Sequence, residues 1–328
     1  MTALLEVVDL SRAFTTKDGG RIRAVDRVSF RLAPGETLGI VGESGCGKST
    51  LARLILQLIP ATGGSVLFEG EDLARLSPAA LRRRRRDMQI VFQDPFASLD
   101  PRLTVGGIVA EPLTIHGIGS RASRRAVVAD LLARVGLPPD ASTRYPHEFS
   151  GGQRQRIGIA RAIALRPRLV IADEPVSALD VSIRAQILNL LMDLKADLGL
   201  SYIFISHDLS VVEHVSDRVA VMYLGRIVES ATAEALYARP SHPYTRALIS
   251  AIPEPDPSSR DRRIALPGEQ PSPEHPPAGC PFHPRCPHVR ERCADEPPPL
   301  RPLGEGRDGH LTACHYAEAI AAAPIGAA

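Results

Sequence analysis

The chain has 328 residues, 44% of them hydrophobic, with 39 basic against 37 acidic side chains and a formal net charge of +2. That length and apolar share support a large core and two domains, and the near-neutral charge makes no case for nucleic acid as a partner. No stretch approaches the roughly 18 apolar residues of a membrane-spanning helix, and the N-terminus lacks a secretory signal pattern.

Along the chain, Leu5–Val8, Val66–Phe68 and the alternating Val28, Phe30 and Leu32 read as half-buried strands. Leu38-Gly39-Ile40-Val41 predicts a buried strand. It runs into Gly42-Glu43-Ser44-Gly45-Cys46-Gly47-Lys48-Ser49-Thr50, a complete match to the phosphate-loop pattern. Leu51, Leu54, Ile55, Leu58 and Ile59 then recur at helical spacing. Strand, glycine loop and helix together aim backbone N–H groups and a positive helix end at a polyphosphate. Lys48 is expected on the β- and γ-phosphates and the Ser49 hydroxyl on Mg²⁺, while Cys46 reads as a small filler. The Arg82–Arg86 run reads as a solvated helix face, the sharper alternative being a contact to acidic lipid or a membrane subunit.

Residues 95–165 lack strand patterning, and Ala126–Leu132 suits a helix. Ser150-Gly151-Gly152-Gln153, followed by the apolar-periodic Ile157, Ile159, Ala160 and Ile163, reads as a second anion site at a helix start. Leu169–Ala172 predicts another buried parallel strand, ending at Asp173 and Glu174. Asp173 is placed to hold Mg²⁺, and Glu174 to polarise a water for phosphoryl transfer. Ile203–Ile205 reads as a third buried strand, leading to His207 as a γ-phosphate contact; Arg218–Glu229, with Gly225, reads as a hairpin.

With these segments in place the chain resembles the ATP-binding cassette (ABC) transporter ATPases from about residue 4 to 235. The resemblance implies an α/β P-loop fold with a RecA-like core, an antiparallel β-subdomain and a helical subdomain near 95–165. It makes Gly42–Thr50 the Walker A motif and Asp173–Glu174 the Walker B motif. Ser150, Gly151, Gly152 and Gln153 become the signature, with Phe149 in place of the commonest leucine before it. Gln93 becomes the Q-loop glutamine, which also senses Mg²⁺, Asp180 part of the D-loop, and His207 the switch histidine. Phe14 lies where the family places a ring on adenine. Glu174, His207, Gln93 and Lys48 then form the implied catalytic set, with ATP and Mg²⁺ as ligands.

Past residue 236 prolines crowd the sequence, which argues for a loop-rich appendage over 237–328 opened by a helix at Pro243. Cys280, Cys286, Cys293 and Cys314 fall here. Their spacing leaves tetrahedral zinc, with His283, His288, His310 or His315 as further donors, and a 4Fe–4S cluster both open. A metal centre would stabilise a segment poor in apolar core residues.

His242–Leu248 and Gly279–Pro287 resemble the C-terminal extension of dipeptide and oligopeptide importer ATPases, and Asp180–Gln186 and Tyr202–Ser210 also resemble this subfamily, particularly its second ATPase subunit. That resemblance implies a 4Fe–4S cluster on the four cysteines. It also implies ATP-driven closure with a second ABC ATPase in a heterodimer, beneath two transmembrane permeases fed by an extracytoplasmic solute-binding protein. The expected location is the cytoplasmic face of the inner membrane. The alternatives are import of nickel or opines, and a soluble ABC ATPase of DNA repair or translation.

Overall fold

The computed structural model describes residues 3–16, 18–253, 263–304 and 309–323. Its strands are β1 (Leu5–Thr15), β2 (Arg21–Leu32), β3 (Thr37–Val41), β4 (Gly63–Phe68), β5 (Glu71–Asp72), β6 (Met88–Val91), β7 (Leu169–Asp173), β8 (Ser201–Ser206), β9 (Arg218–Tyr223), β10 (Arg226–Thr232), β11 (Arg301–Pro302) and β12 (Leu311–Thr312). The helices are α1 (Lys48–Ile55), α2 (Pro78–Arg84), α3 (Pro95–Ser98), α4 (Val105–Ile115), α5 (Arg121–Arg134), α6 (Gly151–Ile163), α7 (Val181–Leu198), α8 (Leu209–Val215), α9 (Ala233–Ala238), α10 (Pro243–Ser250), α11 (Glu291–Asp295) and α12 (Ala317–Ala322). The chain divides into two compact units, one built mainly from Asp72–Ile205 and the other from Leu5–Arg31, Leu38–Glu71 and the chain from Ser206 onward.

In the Asp72–Ile205 unit, β7 pairs in parallel with both β6 and β8. Every residue of β7 and β8 is buried. Continuous apolar runs of this kind suit parallel strands covered on both faces. Residues 95–163 supply α3, α4, α5 and α6. Thr104, Ser120 and Ser150 cap α4, α5 and α6 through their hydroxyls, each cap being worth about 1 kcal/mol. The Arg82–Arg86 run lies largely on α2, which buries no residue.

The second unit has two layers. In one, β1 and β4 pair antiparallel, with Leu5 opposite Phe68 and Val7 opposite Val66. Val28, Phe30 and Leu32 of β2 are buried and the residues between them exposed, the alternation that a strand with one covered face requires. In the other layer β3 runs parallel to β9, and β9 turns back into β10. That turn is tight: Leu224 at φ 43° and Gly225 at φ 79° are both left-handed, the pair of conformations that closes a two-residue hairpin. On β3, a Cβ at Gly39 would lie 2.4 Å from Val212 and 2.6 Å from Ser216, so α8 approaches the strand across a bare backbone.

The C-terminal segment is more than an extended tail. β12 pairs antiparallel with β10, and β11 with β12. On β10, Glu229 is fully buried, yet it accepts from Ser241 N (2.7 Å), His242 N (3.0 Å) and His310 Nε2 (2.7 Å). Burial alone would raise its carboxyl; the hydrogen bonds from His310 and Ser241 outweigh that and hold it below the ordinary carboxylate value. Among the described residues no helix is long and apolar enough to cross a membrane.

Candidate functional site

The phosphate loop belongs to the second unit. It leaves β3, whose five residues are all buried, and delivers Lys48 to the first turn of α1. Two of its glycines are there for room. A Cβ at Gly42 would sit 2.1 Å from Met222 O, and one at Gly47 2.0 Å from Ala24 O, with Gly47 also at φ 108°. Lys48 is 5% exposed, and its Nζ donates to Gly42 O (2.7 Å) and Glu43 O (2.9 Å). The ammonium is thereby folded back over the loop whose N–H groups would receive a phosphate. Ser44 and Gly45 are exposed at the loop's crest, and Ser49 and Thr50 are half-buried beneath it. Cys46 is buried under the loop, and burial raises its thiol above the ordinary value. Phe14 is 37% exposed on β1 with the Arg12 guanidinium 4.7 Å from its ring centre. His207 lies exposed just past β8.

The carboxylates, Gln93 and the signature belong to the Asp72–Ile205 unit. Asp173 ends β7 at 6% exposure. Glu174 takes the left-handed conformation at φ 48°, with its N–H on Ile205 O at 2.9 Å. A non-glycine residue there carries backbone strain of about 1 kcal/mol or more, which the surrounding chain must hold. Gln93 Nε2 donates to Glu174 Oε2 at 2.8 Å, so these two candidate site residues meet directly.

The signature opens α6. Ser150 Oγ accepts from Gln153 N at 3.4 Å while Gln153 Oε1 accepts from Ser150 N at 3.0 Å, a reciprocal capping box. Gly152 has a second duty that spacing does not reveal: a Cβ there would lie 2.4 Å from Ile183 of α7. Gly152 therefore lets two helix starts meet, α6 at Gly152 and α7 at Ile183. Asp180 occupies the N-cap position of α7 without a side-chain cap. Phe149 is 3% exposed under the Arg144 guanidinium, so the ring that replaces leucine is an apolar anchor.

Sequence reasoning missed three groups around the phosphate loop, all from the C-terminal part of the chain. Tyr244 Oη accepts the Glu43 N–H at 2.9 Å, and Arg285 Nη1 and Nη2 reach the two Glu43 carboxylate oxygens at 2.8 and 3.1 Å. Phe282 packs against both Tyr223 and Tyr244, with ring centres 5.3 and 5.4 Å apart. The compositional shift after residue 236 and the resemblance over His242–Leu248 and Gly279–Pro287 pointed to this region, and neither gave any hint of the contact.

The four C-terminal cysteines line one narrow cavity, shared with His288 and His315. Burial pushes the Cys286 thiol up to about 12 and that of Cys314 to about 11. Two of the candidate histidine donors are engaged elsewhere: His310 Nε2 with Glu229, and His315 Nε2 with Glu296 O at 2.9 Å. Among the described residues no three His, Cys, Asp or Glu side chains are grouped to hold a single metal ion. The expected metal-cluster extension is thus a shared thiol cavity, with no ready-made ion site among those residues.

Two family models match the chain: ABC transporter over residues 25–177, and the C-terminal region of oligopeptide/dipeptide transporters over residues 228–293. A probable peptide ABC transporter ATP-binding protein of Sinorhizobium fredii is 56% identical, covering 98% of this chain and 92% of its own. An oligopeptide transport ATP-binding protein of Bacillus subtilis is 52% identical, covering 95% and 97%. Among solved structures, an ATP-binding cassette seen as a dimer in a post-hydrolysis state with ADP and phosphate superposes with a TM-score of 0.64 at 29% identity. That match covers 70% of this chain and 98% of the cassette.

Proposed function

Because this chain belongs to the ABC transporter family and carries its ATP-hydrolysing P-loop fold, we propose that it powers the import of dipeptides and oligopeptides across the cytoplasmic membrane. The observation that carries the reading is the presence, in one chain, of a phosphate loop and a capped glycine pair at a second helix start. The first grips a nucleotide; the second is an anion-binding end suited to a nucleotide held by another cassette. Peptide as cargo rests on the match to the oligopeptide/dipeptide transporter C-terminal region and on the relatives' names.

Residues 1–236 act as the nucleotide-binding domain, with about 95–165 as its helical part, and 237–328 as the importer extension. Lys48 exchanges the carbonyls of Gly42 and Glu43 for phosphate oxygens when ATP enters. Phe14 stacks on adenine, with the Gly42–Thr50 backbone around the phosphates. Ser49, Asp173 and Gln93 are the groups suited to Mg²⁺, which would neutralise phosphate charge and orient the terminal group. Glu174 orients and polarises the attacking water, Gln93 holds its carboxylate in the meantime, and His207 contacts the γ-phosphate. Ser150–Gln153 and Asp180 serve the nucleotide of the partner cassette. The partner is a second ABC ATPase, and the pair lies against two permeases on the cytoplasmic face, fed by an extracytoplasmic binding protein. The dimeric form of the similar cassette supports the pairing of two cassettes.

A second reading concerns the extension. Four thiols on one cavity, with the neighbouring His315 ring already engaged with Glu296 O, suit a four-thiolate 4Fe–4S cluster better than a mixed zinc site. Thiols raised this far are neutral at pH 7 unless a metal takes them as thiolates. ATPase assays in proteoliposomes test the main reading. Turnover should rise when the binding protein is loaded with peptide and stay at its basal level when it is loaded with nickel.

A further inference from the structure

Glu43, the second residue of the phosphate loop, has every polar group engaged. Its carbonyl accepts from Lys48 Nζ at 2.9 Å, and its N–H donates to Tyr244 Oη at 2.9 Å. Its carboxylate takes both terminal nitrogens of Arg285. Two of those three anchors lie far along the chain, in the segment after residue 236. The Arg285 side chain is 8% exposed and that of Glu43 29%, so the ion pair is mostly withdrawn from water. A two-pronged pair in such a setting fixes geometry as well as charge.

The anchor is itself built firmly. Arg285 sits in a single helical turn, His283–Arg285, bracketed by Cys280 and Cys286. Arg285 N bonds Phe282 O at 3.0 Å, and Cys280 N bonds Cys293 O at 2.8 Å. Gly279 precedes the turn at φ 62°, where a Cβ would fall 2.4 Å from Cys293 O. Phe282 is 1% exposed, and its ring lies among those of Tyr223, Tyr244 and His242. The ion pair therefore ties the loop to a packed aromatic nest and to the cysteine-bearing turn.

We propose that Arg285 is a positioning residue for nucleotide binding: through Glu43 it holds the phosphate loop in its receptive shape, which makes the extension part of the ATP site. The inference rests on the ATPase reading above. Preorganising a loop raises affinity by reducing what must be ordered on binding. Because the loop cradles phosphates common to both nucleotides, ATP and ADP should be affected alike.

The test is calorimetric titration of the full chain with MgATP and MgADP. Arg285→Ala should raise Kd for both by about tenfold, the scale expected for losing a partly buried charged pair. Arg285→Lys, which keeps the charge and loses the fork, should recover part of that. The Glu43→Gln/Arg285→Ala double variant should bind no more weakly than Arg285→Ala alone. In steady state the KM for ATP should rise more than kcat falls. A merely structural role would lower the melting temperature and leave Kd of the folded protein unchanged. Kd values within twofold of the parent in Arg285→Ala overturn the proposal, or in Arg285→Lys and Glu43→Gln if the alanine variant does not fold. Failure of the parent chain to bind ATP would instead sink the ATPase reading.

Discussion

The side-chain amide of Gln93 rests on the carboxylate of Glu174 at 2.8 Å, joining a residue just past β6 to one just past β7. Glu174 is also the residue on which the backbone strain of that turn falls, at φ 48°. On the proposed reading, this carboxylate orients the attacking water and is not needed to grip phosphate. Glu174→Gln should therefore cut hydrolysis by about 10²–10⁴-fold, the usual cost of losing one general base. ATP binding should persist. Turnover within threefold of the parent would remove Glu174 from that role.

The site was legible wherever chemistry is local in sequence. The phosphate loop, the two carboxylates at the end of β7 and the glycine pair at the start of α6 each carry a short pattern with its own physical reason. The Leu224–Gly225 hairpin was legible for the same cause. Distant contacts were not. Arg285 and Glu43 lie 242 positions apart, and nothing in periodicity or spacing pairs them. Gly152 looked like an anion-binding residue, and its contact with Ile183 appears only when α6 and α7 are both placed. The extension read as loops because prolines dominate it. Its strand additions at β11 and β12 span two residues each, too short for any alternation to register.

On the proposed reading, a chain with one phosphate loop and one signature is completed at each site by another cassette. The isolated subunit should hydrolyse ATP slowly, and adding the partner ATPase with the permeases should raise turnover at least tenfold, on the order of what completing a catalytic constellation supplies. A lone monomer at saturating ATP that already turns over at the full rate of the complex would refute sharing.

The cysteine cavity makes its own prediction. Protein purified without oxygen should be brown, with iron and acid-labile sulfide in equal amounts. Cys286→Ser or Cys293→Ser should bleach it. In cluster-free protein Cys286 should alkylate slowly at pH 7, because burial keeps its thiol protonated up to about pH 12. Colourless anaerobic protein with one zinc and no sulfide would replace the cluster with a zinc staple.

Acid should weaken the extension through His242. The imidazole is 1% exposed and its Nδ1 accepts the Tyr244 N–H at 3.1 Å. Burial pushes it down to about 4 from 6.5, against the opposing pull of Glu229. The folded chain therefore resists a proton that the unfolded chain accepts below about pH 6.5. Stability from this group is complete above that pH and falls by about 1.4 kcal/mol per unit as the pH drops toward 4. His242→Asn, which retains a capping side chain, should flatten the fall in urea midpoint between pH 6.5 and 5. An unchanged slope would show that other groups set the acid limit.

The most direct test of the account is transport. Proteoliposomes holding this chain, its partner ATPase and both permeases, supplied with peptide-loaded binding protein outside and ATP inside, should accumulate labelled dipeptide or oligopeptide. Accumulation should stop when Glu174 is replaced by Gln in this subunit or when ATP is withheld. Vesicles that hydrolyse ATP at full rate yet take up no peptide, under conditions in which nickel or an opine enters, would contradict peptide import as the function.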